Sequence, residues 1–64
     1  METNWVREYR QRAGLTQVEL ARKACIAESN LSAIECGRLK PWPKAKRAIV
    51  RALKVRIEEV FPGE

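Results

Sequence analysis

Histidine is absent from this 64-residue chain and cysteine occurs only twice. Those shortages exclude much chemistry. A structural zinc site needs about four ligands with cysteines in closely spaced pairs, whereas ten residues separate Cys25 from Cys36. A thiol nucleophile needs a basic partner, usually histidine. No paired carboxylates suggest a catalytic cleft, and no glycine-rich loop could cradle a phosphate. Catalysis, a metal and a cofactor are therefore not expected. Long apolar runs are missing too, so nothing approaches the roughly 20 residues of a membrane-spanning helix. With no signal-peptide pattern at the N-terminus, the expected compartment is the cytoplasm, where thiols stay reduced. No segment alternates polar and apolar residues as a half-buried strand would.

Acidic residues are missing from one long stretch. None lies between Glu35 and Glu58, while Arg38, Lys40, Lys44, Lys46, Arg47, Arg51, Lys54 and Arg56 all do. Residues 1–37 carry five basic and five acidic side chains, and the whole net charge of +5 comes from the remainder. One-sided charge of this kind suits a polyanion, although a solvated helix face that keeps a small protein soluble would look the same. A chain this short buries only about 60% of its unfolded surface. A single domain over residues 1–64 is expected.

The apolar period is helical throughout. Val6, Tyr9 and Ala13 mark a first helix over residues 3–12, flanked by Trp5 and stopped by Gly14. Thr16 and Glu19 form a capping box at the start of a second helix, whose buried stripe is Leu20, Ala21 and Ala24. Residues 25–27 interrupt it. A third helix runs from Glu28 to Cys36, with Leu31 and Ile34 inward, and Gly37 ends it. Pro43 suits the first position of a fourth helix, which buries Ala45, Ile49, Val50 and Leu53. Val55, Ile57, Val60 and Phe61 close the core with a short fifth helix. The reading is all-α: five short helices in a compact domain. A third helix of that length puts the two cysteines at opposite ends, beyond the roughly 7 Å that a disulfide tolerates.

Residues 17–36 have the parts of a helix-turn-helix. Ala21 is the small residue where two helices cross, Cys25-Ile26 is the turn, and Leu31 and Ile34 anchor the second helix. The stretch "LTQVELARKACIAESNLSAIECGRLKP" resembles the phage-repressor, or Cro/XRE, family through Leu15, Thr16, Gln17, Leu20, Ala21, Ile26, Leu31, Ser32, Ile34, Glu35, Gly37 and Pro41. The later "ALKVRIEEVF" is similar to that family's join between its fourth and fifth helices. The resemblance covers residues 5–61. It implies a lambda-repressor-like domain in a prokaryotic or phage, nucleoid-associated regulator of transcription. Such a regulator is a repressor that binds double-stranded DNA as a homodimer, with residues 28–36 in the major groove. It also implies a structural ion pair between Arg10 and Glu35.

With Leu31 and Ile34 inward, the opposite face of the third helix carries Ser29, Ser32, Ala33 and Cys36. The expected base contacts are Glu28, Ser29, Ser32 and Ala33. Arginine, lysine, glutamine and asparagine, which make most direct readouts, are absent from that stripe. A modest base code supplemented by DNA shape is expected. Phosphate contacts are expected from Gln17, Asn30, Cys36, Arg38, Lys40 and Lys44. Arg47 and Arg51 face outward with no assigned role. A dimer contact is placed at an exposed apolar end made of Val55, Ile57, Val60 and Phe61.

Four departures from the family pattern stand out. Cys25 replaces the turn glycine, Ala27 replaces a Ser/Thr cap, Lys46 replaces an aliphatic residue whose place its stem could fill while its head reaches water, and Trp42 replaces another Ser/Thr cap. Trp42, between two prolines, reads as a lid on the core. The weak groove face keeps a second reading open: a protein-interaction module of antitoxin or bridging type that kept the fold with little DNA binding.

Overall fold

The computed structural model describes residues 4–62. The described residues form α1 (Val6–Arg12), α2 (Gln17–Ala24), α3 (Glu28–Glu35), α4 (Pro43–Leu53) and α5 (Ile57–Val60), with no strand among them. The all-α reading with five helices is what the structure contains. Helix α4 is the spine: α2, α5 and α1 pack against it, and α3 packs against α2.

The core follows from the helical apolar period. Val6, Leu20, Leu31, Ile34, Ile49 and Val60 are fully buried, and Ala21, Ala24, Val50, Leu53 and Phe61 complete the cluster. Each large aliphatic side chain removed from water contributes about 1.5–3 kcal/mol. A domain of this size has few such residues to lose.

Helix α1 starts later than the sequence suggests, at Val6 rather than residue 3, which lies outside the described residues. The cause is long-range. The Trp5 amide donates to the Val60 carbonyl at 2.8 Å, which fastens the chain to the end of α5 before the helix begins. Asn4 then opens the helix from one position further out: its Oδ1 accepts the Val6 amide at 3.1 Å.

The first four helices end in one geometry. A residue one or two positions past the helix takes a left-handed conformation, and the next amide reaches back five residues to close the last turn. In α1 these bonds are Gly14 N–H to Gln11 and Leu15 N–H to Arg10. In α2 they are Cys25 to Arg22 and Ile26 to Ala21. In α3 they are Gly37 to Ile34 and Arg38 to Ala33, and in α4 Lys54 to Arg51 and Val55 to Val50. Glycine supplies the positive φ twice, at Gly14 (73°) and Gly37 (78°). Cys25 (57°) and Lys54 (59°) adopt it with a side chain attached. Leu15, Ile26 and Val55, the residues just beyond three of these corners, pack against the core. That packing holds the corner where no glycine relieves it.

Two departures resolve differently from their sequence reading. Lys46 is buried at 6% exposure. Its ammonium stands 5.8 Å from the centre of the Phe61 ring, so the head lies over an aromatic face instead of in open water. Trp42 is 39% exposed and forms the rim of a shallow groove with Ala24, Cys25 and Ile26, so it does not cap the core. The cysteines are both free and exposed.

Candidate nucleic-acid interface

The start of α2 is built by local chemistry. The Thr16 hydroxyl accepts the Glu19 amide at 3.1 Å, and the Glu19 carboxylate accepts the Thr16 amide at 2.8 Å. That amide bond, then the Thr16 hydroxyl and the nearby Lys23, hold the Glu19 carboxyl below its ordinary value of 4.5. Gln17 is thereby set at the first helical position, half-buried.

Glu35 lies at the other end of the helix-turn-helix and is its polar hub. The side chain is completely buried. Arg10 reaches it from α1 with one edge of the guanidinium, Nε to Oε2 at 2.7 Å and Nη2 to Oε1 at 3.2 Å. Arg10 Nη1 also donates to the Leu15 carbonyl at 2.9 Å. The Gln17 amide donates to Glu35 Oε1 at 3.0 Å, and Arg7 Nε stands 3.7 Å from the same oxygen. A two-point arginine–carboxylate pair of this kind is strong and geometrically selective. It fixes the end of α3 against both α1 and the start of α2.

Asn4 adds a second tie that the sequence reading missed. Its Nδ2 donates to the Ile34 carbonyl at 2.9 Å. One side chain therefore opens α1 and holds the last turn of α3. The readable signal was the residue type, since asparagine is a favoured helix-start residue. The partner 30 positions away has no local signature.

This frame turns one face of α3 outward. Leu31 and Ile34 are buried; Glu28 and Ser29 are exposed; Asn30, Ser32 and Ala33 are half-buried. Ser32 and Ala33 are less open than Glu28 and Ser29. The chain after Gly37 folds back onto α3, where the Arg38 and Leu39 amides donate to the Ala33 carbonyl at 2.9 and 3.2 Å. Cys36 is exposed at the helix end, and Arg38, Lys40 and Lys44 are exposed along the loop and the start of α4. The outward stripe of α3 and this basic loop are thus continuous in the chain. Gln17 stands differently from its expected role: one amide N–H is already engaged by Glu35, which leaves a second N–H and the carbonyl oxygen.

The expected apolar dimer end needs correction. Val60 and Phe61 are core residues at 0% and 3% exposure, so they are not on offer to a second copy. The closing helix spends them on the core against α4. Val55 and Ile57 remain half-buried. Among the described residues, no helix is long and apolar enough to cross a membrane, and no group of three or more His, Cys, Asp or Glu could hold a metal ion.

Comparison with known proteins agrees with this architecture. The family model described as a helix-turn-helix domain matches residues 6–60. A protein of Archaeoglobus fulgidus named "Uncharacterized HTH-type transcriptional regulator" is 34% identical over 56 residues, spanning 88% of this chain and 80% of that protein. A protein of the same name from Methanothermobacter thermautotrophicus is 39% identical over 57 residues, spanning 88% of this chain and 83% of its own length. The matched segment runs from the first core residue of α1 to the last of α5, and it contains the capped α2, the turn at Cys25 and the Glu35-anchored α3: the chain belongs to the helix-turn-helix family.

Proposed function

We propose that this protein is a sequence-specific, double-stranded-DNA-binding regulator of transcription that acts as a repressor. Helix α3 enters the major groove, and the protein binds as a homodimer whose two α3 helices are set about 34 Å apart. The observation that carries the reading is the outward face of α3 running directly into a basic loop. Glu28 and Ser29 are open on that face, and Arg38, Lys40 and Lys44 follow, exposed, in a stretch without a single acid from residue 36 to 57. Glu28 and Ser29 read bases, with Ala33 against a thymine methyl and Ser32 beside it. Arg38, Lys40, Lys44, the remaining N–H of Gln17, Asn30 and the region of Cys36 lie against the phosphates. Val55 and Ile57 are the apolar residues left for the dimer contact. The protein works in the cytoplasm.

Selection of bound sequences from a random duplex pool at several salt concentrations tests this. An enriched motif with affinity that falls steeply as salt rises supports it. No motif and no salt dependence would sink it. The short polar groove face favours a second reading, a protein-interaction module that retains the fold. Reversing the charge of Arg38 and Lys40 separates the two: DNA binding collapses under the first, whereas partner binding survives under the second.

A further inference from the structure

We infer that Arg7, outside the helix-turn-helix itself, is a phosphate-binding residue that works beside Gln17, both being set in place by the buried Glu35 carboxylate. The inference rests on the DNA-binding reading and extends it to a side chain of α1.

Charge balance is the first argument. Glu35 is already neutralised by Arg10, which meets it with two hydrogen bonds of 2.7 and 3.2 Å. Arg7 approaches the same carboxylate at 3.7 Å, outside hydrogen-bond range, so its charge is surplus to the pair. Arg7, Arg10 and Glu35 together carry a net positive charge on a fixed frame.

Exposure is the second. The Glu35 side chain is sealed at 0%, Arg10 is nearly so at 12%, and Arg7 is 51% exposed. Arg7 makes no hydrogen bond among the described residues. Its forked donors are unspent, and a guanidinium fork matches phosphate geometry. The carboxylate at its Nε limits the wandering of an otherwise flexible stem, which lowers the entropy lost when an anion docks.

Position is the third. Arg7 Nε and the Gln17 amide crowd one acceptor, Oε1 of Glu35. A free arginine donor fork and a glutamine with one N–H left therefore lie side by side, on the edge where the DNA backbone crosses α2 in the proposed complex. Arg12 has the same charge on the same helix but a different setting. Its guanidinium carbon sits 5.1 Å from the Tyr9 ring centre, in a shallow pocket with Trp5, Glu8 and Glu59.

The test is the salt dependence of binding to a duplex taken from the selected pool. Arg7→Ala lowers the slope of log affinity against log salt by about 0.9, the amount for one phosphate. Arg7→Lys keeps the slope, and Arg12→Ala leaves it at the wild-type value. Thermal melting of Arg7→Ala stays near wild type, because the buried Glu35 keeps its hydrogen bonds from Arg10 and Gln17 when the 3.7 Å contact to the half-exposed Arg7 is lost. Should Arg7→Ala not fold, Arg7→Gln removes the charge while keeping the stem and reads the same slope. An unchanged slope in the charge-removing variant overturns the inference, as does an equal fall in Arg12→Ala, which would mark a diffuse charge effect. Both of those failures leave the wild type binding DNA. Absence of salt-dependent binding by the wild type overturns the DNA reading itself, and this inference with it.

Discussion

Helices α2 and α3 are equally long, eight residues each, and they are closed in opposite ways. Helix α2 begins on a complete capping box and ends on Cys25, a residue with a side chain held at positive φ. Helix α3 begins on Ala27, which offers no side-chain cap, and its last turn is closed just past Cys36 by Gly37, which adopts positive φ without strain. The two poor ends meet at the turn between the helices. The two good ends point outward, where Glu35, Arg10, Gln17 and Asn4 reinforce them. The helix-turn-helix is thus secured at its extremities and weakly supported at its middle, where Ile26 alone is tucked toward the core.

The largest expected effect comes from removing the outer anchor. Glu35→Ala strands the Arg10 guanidinium beside a cavity and costs about 3 kcal/mol or more. Urea unfolding reads it, and a loss under about 1 kcal/mol would show that the hub contributes little. Thr16→Ala opens the good end of α2 at a cost of about 1 kcal/mol, a drop of roughly 4–8 °C in a domain of this size. At the poor ends the sign reverses. Ala27 has the extended backbone of a helix cap, φ −63° and ψ 141°. A serine hydroxyl there can take the free Asn30 amide, and Ala27→Ser should gain up to about 1 kcal/mol; a lower melting temperature would contradict the bare-end assignment. Cys25→Gly relieves the left-handed corner but adds freedom to the unfolded chain, for a net gain of about 0.5 kcal/mol. A measured loss would mean that the thiol packs usefully in the groove beside Trp42.

The smallest effect is a matter of pH. The Glu19 carboxyl titrates below its ordinary 4.5 in the folded chain. Its contribution is therefore present above the unfolded value and is lost as pH falls through the lowered one. Stability of the wild type should decline more steeply on acidification than that of Glu19→Gln. Parallel acid profiles would assign the capping box no electrostatic part.

Much of this asymmetry was readable in the sequence. Thr16 and Glu19, Gly14, Gly37 and Pro43 act through neighbours within a few positions, and each marks the boundary expected of it. The positive φ at Cys25 was also foreseeable, because family resemblance put a glycine there. Lys54 was not: nothing about lysine favours a left-handed corner, and the conformation is imposed by Val55 docking on the core. The same limit hid Asn4 and the engagement of Gln17 by Glu35, whose partners lie 30 and 18 positions away. It also misdirected the dimer reading, since Val60 and Phe61 look like a spare apolar end until α5 folds back on α4.

The link between the Trp5 amide and the Val60 carbonyl bears on how the molecule opens. Most contacts in a small helical domain are local, and a frayed first helix would ordinarily trade its amide protons with solvent quickly. Here the amide just before α1 is closed by the far end of the described chain at 2.8 Å. It is released when either the start of α1 or α5 detaches, and both are anchored in the core beside it, by Val6 and Val60, each fully buried. Hydrogen exchange at Trp5 should then be as slow as at Leu20 or Ile49, reporting global unfolding from a position that looks like a loose terminus.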